Sequence, residues 1–314
     1  MSQLSTIVEV GEITADFKAY RREVCRGGDV AAWLQDKKRH ISIWKAAAAA
    51  DDAMAQTLYG ECLSLGIGVM ADPDEAFVLF QRAADKGLPD ALYILGECYI
   101  DGAGCPKDRK KAFDCHSQSA EQKHGAAEFA VGMAHYDGIV VKPSTFEAAK
   151  WFLQSANHGY PPAMYKLAKM LIDGKELKRD LEFGMTWMTK AAEMDFAKAQ
   201  FAMGMLHREP VLGPPNDREA MKWLKDASDN GSADAMYHIG LMFFNGAGVR
   251  MDMMSAAEWY GQAADAGHAE AAYKLGLMFR DGHNPNLCEA AKWFERGMKL
   301  GHKDASWALQ ELVR

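Results

Sequence analysis

The chain predicts an all-α fold, an α/α solenoid of about seven 36-residue helix-turn-helix repeats with terminal caps, and three columns of small residues predict it. One column reads Gly60, Gly96, Gly132, Ala168, Gly204, Gly240 and Gly276. Five residues earlier alanine is unbroken at Ala55, Ala91, Ala127, Ala163, Ala199, Ala235 and Ala271. A third column marks a turn at Gly66, Gly102, Gly138, Gly174, Pro210, Gly246 and Gly282. A fixed period in the range of about 20–50 residues means supersecondary units stacked along one axis, each touching its neighbours. The repeat therefore overrides the two domains that a length of 314 residues alone would suggest.

Taken in order, residues 1–51 read as an atypical N-terminal helical cap. Ala15 to Gln35 is only weakly repeat-like, whereas His40 to Asp51 has the phase of a second helix, with Trp44, Ala47 and Ala48 falling under Phe80, Ala83 and Ala84. Residues 52–303 form the array, and Ala235 to Gly267 is its clearest unit. Ala235, Ile239, Met242 and Phe243 share one side of a first helix at i, i+4, i+7 and i+8. Asn245-Gly246 ends that helix, Gly248 turns the loop back, and Ser255 precedes a second helix through Ala266. That helix carries Ala256, Trp259, Tyr260, Ala263 and Ala264, and Gly267 stops it. Residues 304–314 restart a first helix with Ala305, Ala308 and Leu309, which caps the last face.

Glycine inside a helix costs about 0.5–1 kcal/mol relative to alanine. Its recurrence is explained if another backbone passes close by. Large side chains then fill the remaining space, in one column of Thr57, Tyr93, Phe129, Tyr165, Phe201, Tyr237 and Tyr273 and another of Trp151, Trp187, Trp223, Trp259 and Trp293. Such a ladder reads as core packing, with a ligand-stacking groove as the alternative. As core, Trp223→Ala is expected to cost about 3–5 kcal/mol.

The pattern A-x-Y-x-L-G…Y-x-D-G-x-G-V…A-x-x-W-Y-x-x-A-A-x-x-G, clearest from Ala235 through Trp259-Tyr260 to Gly267, resembles the Sel1-like repeat family. The resemblance covers residues 52–302, with every column in phase. It implies a right-handed superhelix related to tetratricopeptide arrays, serving as an adaptor in assemblies or signalling, with first helices lining its concave side. It brings no single chemistry. A cysteine-rich subgroup is linked to β-lactam binding or hydrolysis, but its cysteines pair within each repeat, and here Cys105 and Cys115 are the only close pair.

Several units depart from the pattern. The second has Cys115-His116 for Trp-aromatic and Lys123 for a turn glycine, so the turn is expected to shift by two residues to Gly125. The fourth has Ala168, Gly184 and Asp195 where Gly, Ala and Gly are usual. The fifth carries Pro210, Pro214 and Pro215, which rules out the standard turn and leaves either a contact site or tolerated drift.

No catalytic, cofactor or metal motif emerges. The histidines are scattered, and H-E-x-x-H, G-x-S-x-G and P-loop patterns are absent. Gly102-Ala-Gly104 and Gly246-Ala-Gly248 recur in phase with the turn and follow no strand, so they are turns. Asp101, Asp137, Asp173, Glu209 and Asp281 precede turn residues, where Asp is favoured. The six cysteines show no zinc spacing and read as reduced cytoplasmic thiols. A net charge of −7 argues against a sequence-independent nucleic-acid partner, and the apolar runs are too short to make a membrane one.

Positions stepping 4, 3, 4 along each first helix form a stripe away from the packed face. Its central pairs include Ile94 and Glu97, Met133, Lys166 and Lys169, Met205, His238 and Leu241, and Lys274 and Leu277. Apolar residues and methionine punctuated by charge suit a peptide or protein partner in the concave groove. Burial of these residues between units is the competing reading. The sequence thus points to a noncatalytic interaction scaffold or complex subunit, with an enzyme or small-molecule binder in the same groove as the alternative. Far-UV circular dichroism should show dominant helix, and a substantial strand signal would overturn the architecture.

Overall fold

The computed structural model describes residues 3–26 and 29–312. These residues hold only helices and connections, with no strand. Three helices precede the array: α1 (Gln3–Arg26), α2 (Val30–Asp36) and α3 (Ile41–Ala49), the last led in by a 3-10 turn at Lys38–His40. Seven helix pairs follow: α4 (Ala53–Leu65) with α5 (Pro73–Asp85), α6 (Pro89–Asp101) with α7 (Arg109–Glu121), α8 (Gly125–Asp137) with α9 (Thr145–Asn157), and α10 (Pro161–Asp173) with α11 (Leu181–Glu193). Then come α12 (Ala197–Arg208) with α13 (Asp217–Asp229), α14 (Ala233–Asn245) with α15 (Met253–Asp265), and α16 (Ala269–Asp281) with α17 (Leu287–Lys299). A closing α18 spans Ala305–Leu312. From α3 to α10, and again from α12 to α18, each helix packs on the next, as a solenoid requires. The chain forms two compact units, Met1–Trp187 and Met188–Arg314.

Local chemistry sets the ends of these helices. Asp52, Asp72, Asp108, Ser144, Asn216, Ser232, Asp252 and Asn286 each accept a backbone N–H of the first helical turn. Gly66, Gly102, Gly138, Gly174 and Gly246 close first helices in the left-handed conformation. In the fifth pair the proline loop breaks this rule: α12 is one residue shorter, and Glu209 ends it in extended backbone at φ −95°. The shortened seventh loop does the same at Gly282, with ψ 174°.

The glycine column explains how two helices of a pair approach. A Cβ built on Gly60 would lie 2.6 Å from the Phe80 ring, on Gly132 2.7 Å from Phe152, on Gly240 2.7 Å from Tyr260, and on Gly276 2.5 Å from Phe294. On Gly204 it would meet Leu224 at 2.8 Å. The close neighbour is thus foremost a side chain of the second helix, not a passing backbone. In the fourth pair the small residue changes sides: Gly184 sits against Ile172 and the Ala168 carbonyl.

This geometry corrects the sequence reading of the tryptophans. The fully buried wedges are Phe80, Phe152, Leu224, Tyr260 and Phe294, each one residue past the tryptophan column. Trp151, Trp223, Trp259 and Trp293 are only half-buried, and Trp187 alone in that column is buried. A one-residue step on a helix rotates a side chain by about 100°, enough to move it from the joint to its edge. Trp223 therefore carries less of the packing than the expected truncation cost assumed.

A second joint links successive pairs. The N-cap residues His124, Tyr160 and His268, and His302 in the turn before α18, pack on aromatics of the preceding first helix: His124 tilted on Tyr93 with ring centres 5.2 Å apart, Tyr160 tilted on Phe129 at 5.6 Å, His268 stacked on Tyr237 at 4.3 Å and His302 stacked on Tyr273 at 4.3 Å. His124 and His268 also accept the N–H groups of Ala127 and Ala271 through Nδ1. Nearby hydroxyls add cross-links, with Ser119 and Ser155 donating to the Pro89 and Gly125 carbonyls at 2.7 and 2.6 Å.

The inter-repeat turn needs a left-handed residue in every unit, glycine or not. Gly87, Gly159, Gly231, Gly267 and Gly301 have φ between 79° and 96°, and Asp51, Lys123 and Asp195 occupy the same place at 72°, 63° and 60°. The turn in the second repeat does not shift: Lys123 itself adopts the left-handed conformation, and Gly125 enters α8 against Tyr160. Asp51 differs from Lys123 in being used. Its carboxylate accepts from Lys86, Arg82 and Gln56 at 2.8 to 2.9 Å, and Lys86 and Arg82 hold its pKa well below the usual carboxylate range.

Two outcomes test this account. Leu224→Ala should lower stability by about 2–5 kcal/mol, and by more than Trp223→Ala does; a urea titration giving the reverse order would place the tryptophan in the joint. Lys123→Gly should raise stability by up to about 1 kcal/mol, since left-handed backbone is strained for lysine and glycine's extra unfolded-state entropy cancels only part of the relief. A fall in the urea midpoint would contradict it.

Candidate functional site

The first-helix stripe does not lie open in the first two repeats. Helix α1 carries Ile13, Phe17, Tyr20 and Val24 at spacings of 4, 3 and 4, and this apolar edge shares one core with Leu58 of α4 and Leu92, Ile94 and Leu95 of α6. At 24 residues the helix is about 36 Å long, and it touches α3, α4 and α8. Leu58 is fully buried beneath it.

Polar groups fix its register. Asp16, 5% exposed, meets His40 Nδ1 at 2.5 Å, Trp44 Nε1 at 3.2 Å and Lys37 Nζ at 3.6 Å, tying α1 to the cap. The Tyr20 hydroxyl donates to Glu61 of α4 at 2.8 Å, and Arg21 Nε lies 3.1 Å from Asp90 Oδ1 of α6. Asp90 is 2% exposed, with His124 Nε2 3.5 Å from the same oxygen. Burial raises the pKa of Glu61, and burial with the nearby Glu61 charge raises that of Tyr20 well above its ordinary value. Tyr20 is fully buried on α1, and Glu61 is half-buried on α4.

The sequence-predicted stripe residues divide into three groups. Ile94 packs on the core that α1 shares, and Glu97 Oε1 lies 3.1 Å from His116 Nε2 of α7. Met133 is half-buried on α8, and Lys166 and Lys169 follow on α10. The two lysines line a cavity of about 280 Å³ with Tyr136, Met170, Asp173, Lys175 and Glu176. Lys166 Nζ stands 3.7 Å from the centre of the Tyr136 ring, whose hydroxyl donates to Glu176; that bond, then burial, raises the phenol pKa. Lys169 is exposed and makes no ion pair among the described residues.

In the second compact unit the stripe faces its own helices more closely. Met205 is half-buried. His238 packs on the Phe201 ring at 5.3 Å, and burial, then Arg208, lowers its pKa, so it stays neutral at pH 7. Leu241 packs on the core around Tyr260, and Leu277 on that around Phe294. Lys274 pairs with Glu270 one turn away at 3.6 Å.

Sequence reasoning missed Tyr136, Lys175 and Glu176 as cavity walls, because they lie outside the stripe columns, and it read Asp173, in the fourth stripe column, as a turn residue only. It also missed α1 as a cover. The signal was present in the 4, 3, 4 spacing from Ile13 to Val24, the same step as the stripe itself. No three His, Cys, Asp or Glu side chains among the described residues could hold a metal ion, and no described helix is long and apolar enough to cross a membrane.

Seven consecutive segments, 53–88, 89–124, 125–160, 161–196, 197–232, 233–268 and 269–302, match the Sel1 repeat, and the chain belongs to the Sel1 repeat family. Proteins of this family are in general protein-interaction scaffolds. A Sel1 repeat protein from Oxalobacter formigenes is similar at 30% identity and a TM-score of 0.66, over 69% of this chain and 89% of that one. The protein c5321, a protective antigen present in uropathogenic Escherichia coli strains and displaying an SLR fold, is similar at 25% identity and a TM-score of 0.70. That match covers 87% of this chain and 59% of the antigen, so the chain spans little more than half the antigen's length. No curated protein matches the chain.

The α1 contact carries its own test. Arg21→Ala leaves Asp90 buried without its guanidinium partner; with the arginine half-exposed, the loss is about 1–2 kcal/mol. Hydrogen exchange should then show protection across residues 11–24 falling about tenfold, with α14 to α16 unchanged. Unchanged protection of α1 would mean the ion pair does not hold it.

Proposed function

We propose that this chain is a noncatalytic scaffold that binds a protein or peptide partner along the stripe of its first helices, in the groove those helices line. The observation that supports this reading is α1: a helix of the chain itself lies on that face, with an apolar edge on Leu58 and Ile94 and polar ends on Glu61 and Asp90. The face thus already holds a helix in the way a helix-in-groove complex does. The stripe residues of the proposal are Ile94, Glu97, Met133, Lys166, Lys169, Met205, His238, Leu241, Lys274 and Leu277. Residues 1–51 act as the cap and residues 304–314 as the closing helix. We place the chain in the cytoplasm, where its described cysteines, all thiols, stay reduced.

Met133→Asp combined with Met205→Asp tests the reading, because a carboxylate brought into a desolvated contact costs several kcal/mol, about 2–7 by transfer, yet little at a half-exposed position of the free chain. Cross-linking followed by mass spectrometry in the native host should lose the partners of the wild-type chain while the helical signal and melting temperature hold. Partners retained on a folded variant would move the interface off this stripe. A small-molecule turnover lost with the same variant would favour the enzyme reading.

A further inference from the structure

Resting on that reading, we infer that the stretch of stripe next to α1, formed by Met133 of α8 with Lys166 and Lys169 of α10, docks an amphipathic helix of a partner protein that carries acidic residues beside its apolar edge. Continuity with α1 is the first argument. In the first two repeats the stripe positions Leu58, Glu61 and Ile94 meet a helix that crosses α4 and α6 and reaches α8. Met133 and Lys166 stand at the same repeat positions, on α8 itself and on the first helix after it, and Lys169 completes the pair. A helix of about 16 residues is about 24 Å long, which spans two to three neighbouring helices about 8–10 Å apart.

Charge is the second argument. Where α1 docks, the stripe and its edge are acidic through Glu61 and Asp90, and the docked helix answers with the Tyr20 hydroxyl and the Arg21 guanidinium. At α10 the sign reverses. Lys166 and Lys169, one turn apart on the same face, line the cavity with Lys175. Neither Lys166 nor Lys169 makes an ion pair among the described residues: Lys166 leans on the Tyr136 ring and Lys169 points to solvent. Of the two acids in the cavity wall, Glu176 accepts the Tyr136 hydroxyl, and Asp173 lies at the turn end of the helix. The complementary occupant presents carboxylates to the two lysines and an apolar edge to the half-buried Met133.

The probe comes from this chain. A labelled peptide of residues 9–24 carries the apolar edge of α1, and its R21E, R22E version keeps that edge while reversing the charge. In fluorescence anisotropy on the full-length chain, the reversed peptide should bind at least about tenfold tighter than the native one at low salt, and rising salt should narrow the gap as the charges are screened. Lys166→Glu with Lys169→Glu should abolish or invert the preference, and Lys169→Glu alone, at an exposed position, should weaken it without loss of helical signal. Equal binding of both peptides, or a preference untouched by the lysine variants, overturns the acidic-helix inference and leaves the scaffold reading to its own cross-linking test. Failure of the reversed peptide to bind also overturns it. Displacement of the reversed peptide by duplex DNA as readily as by its unlabelled copy would assign the lysines to phosphate instead.

Discussion

The close joint between a first-helix glycine and a second-helix wedge is the constraint on which the rest of this structure depends. At Gly60, Gly132, Gly240 and Gly276 there is no room for one added carbon beside Phe80, Phe152, Tyr260 and Phe294. Helices of 13 residues are marginal alone, so each pair must gain its order from such contacts. Because the wedge sits directly on the glycine backbone, the two helices come close enough for the alanine columns to be fully buried as well: Ala55, Ala127, Ala235 and Ala271 are all 0% exposed. The joint between pairs then follows, since a fixed hairpin geometry delivers the N-cap residue of the next repeat onto the aromatic of the last.

This dependence explains what could be read from the residues. Columns in phase reveal helices, turns and small-residue contacts because each repeat samples the same local requirement. The neighbour of a column is harder to place. Trp259 and Tyr260 are both large and aromatic, and only the rotation of α15 against Gly240 decides that Tyr260 is the buried one. Lys123 was illegible for a related reason: the stacking of α7 against α8 imposes the left-handed turn, and a lysine accepts its strain because the flanking joints outweigh it. Asp51 adopts the same backbone but offsets the strain with Lys86, Arg82 and Gln56.

The candidate face was legible as a stripe but not as an occupied one. Periodicity within repeats says nothing about a helix outside them, so α1, whose Ile13, Phe17, Tyr20 and Val24 match the stripe step, was read as a cap. Its position gives the face a physical meaning. Asp90 is a buried acid and Glu61 a half-buried one on first helices, and they are tolerated because Arg21 and Tyr20 reach them. Among the described residues Lys166 and Lys169 of α10 make no ion pair, and Lys166 leans on the Tyr136 ring. In the second compact unit Leu241 and Leu277 pack on neighbouring cores, so the stripe there contributes to packing as well as to surface.

The central claim is that the wedge on the glycine sets the spacing of each pair, and a double-mutant cycle at Gly240 and Tyr260 tests it most directly. In a free helix, glycine to alanine stabilises by about 0.5–1 kcal/mol. With Tyr260 in place, Gly240→Ala should instead destabilise by about 1–3 kcal/mol, the cost of overpacking. In a Tyr260→Ala background the sign should reverse, and the same alanine should stabilise. A Gly240→Ala effect of the same sign and size in both backgrounds would contradict the account.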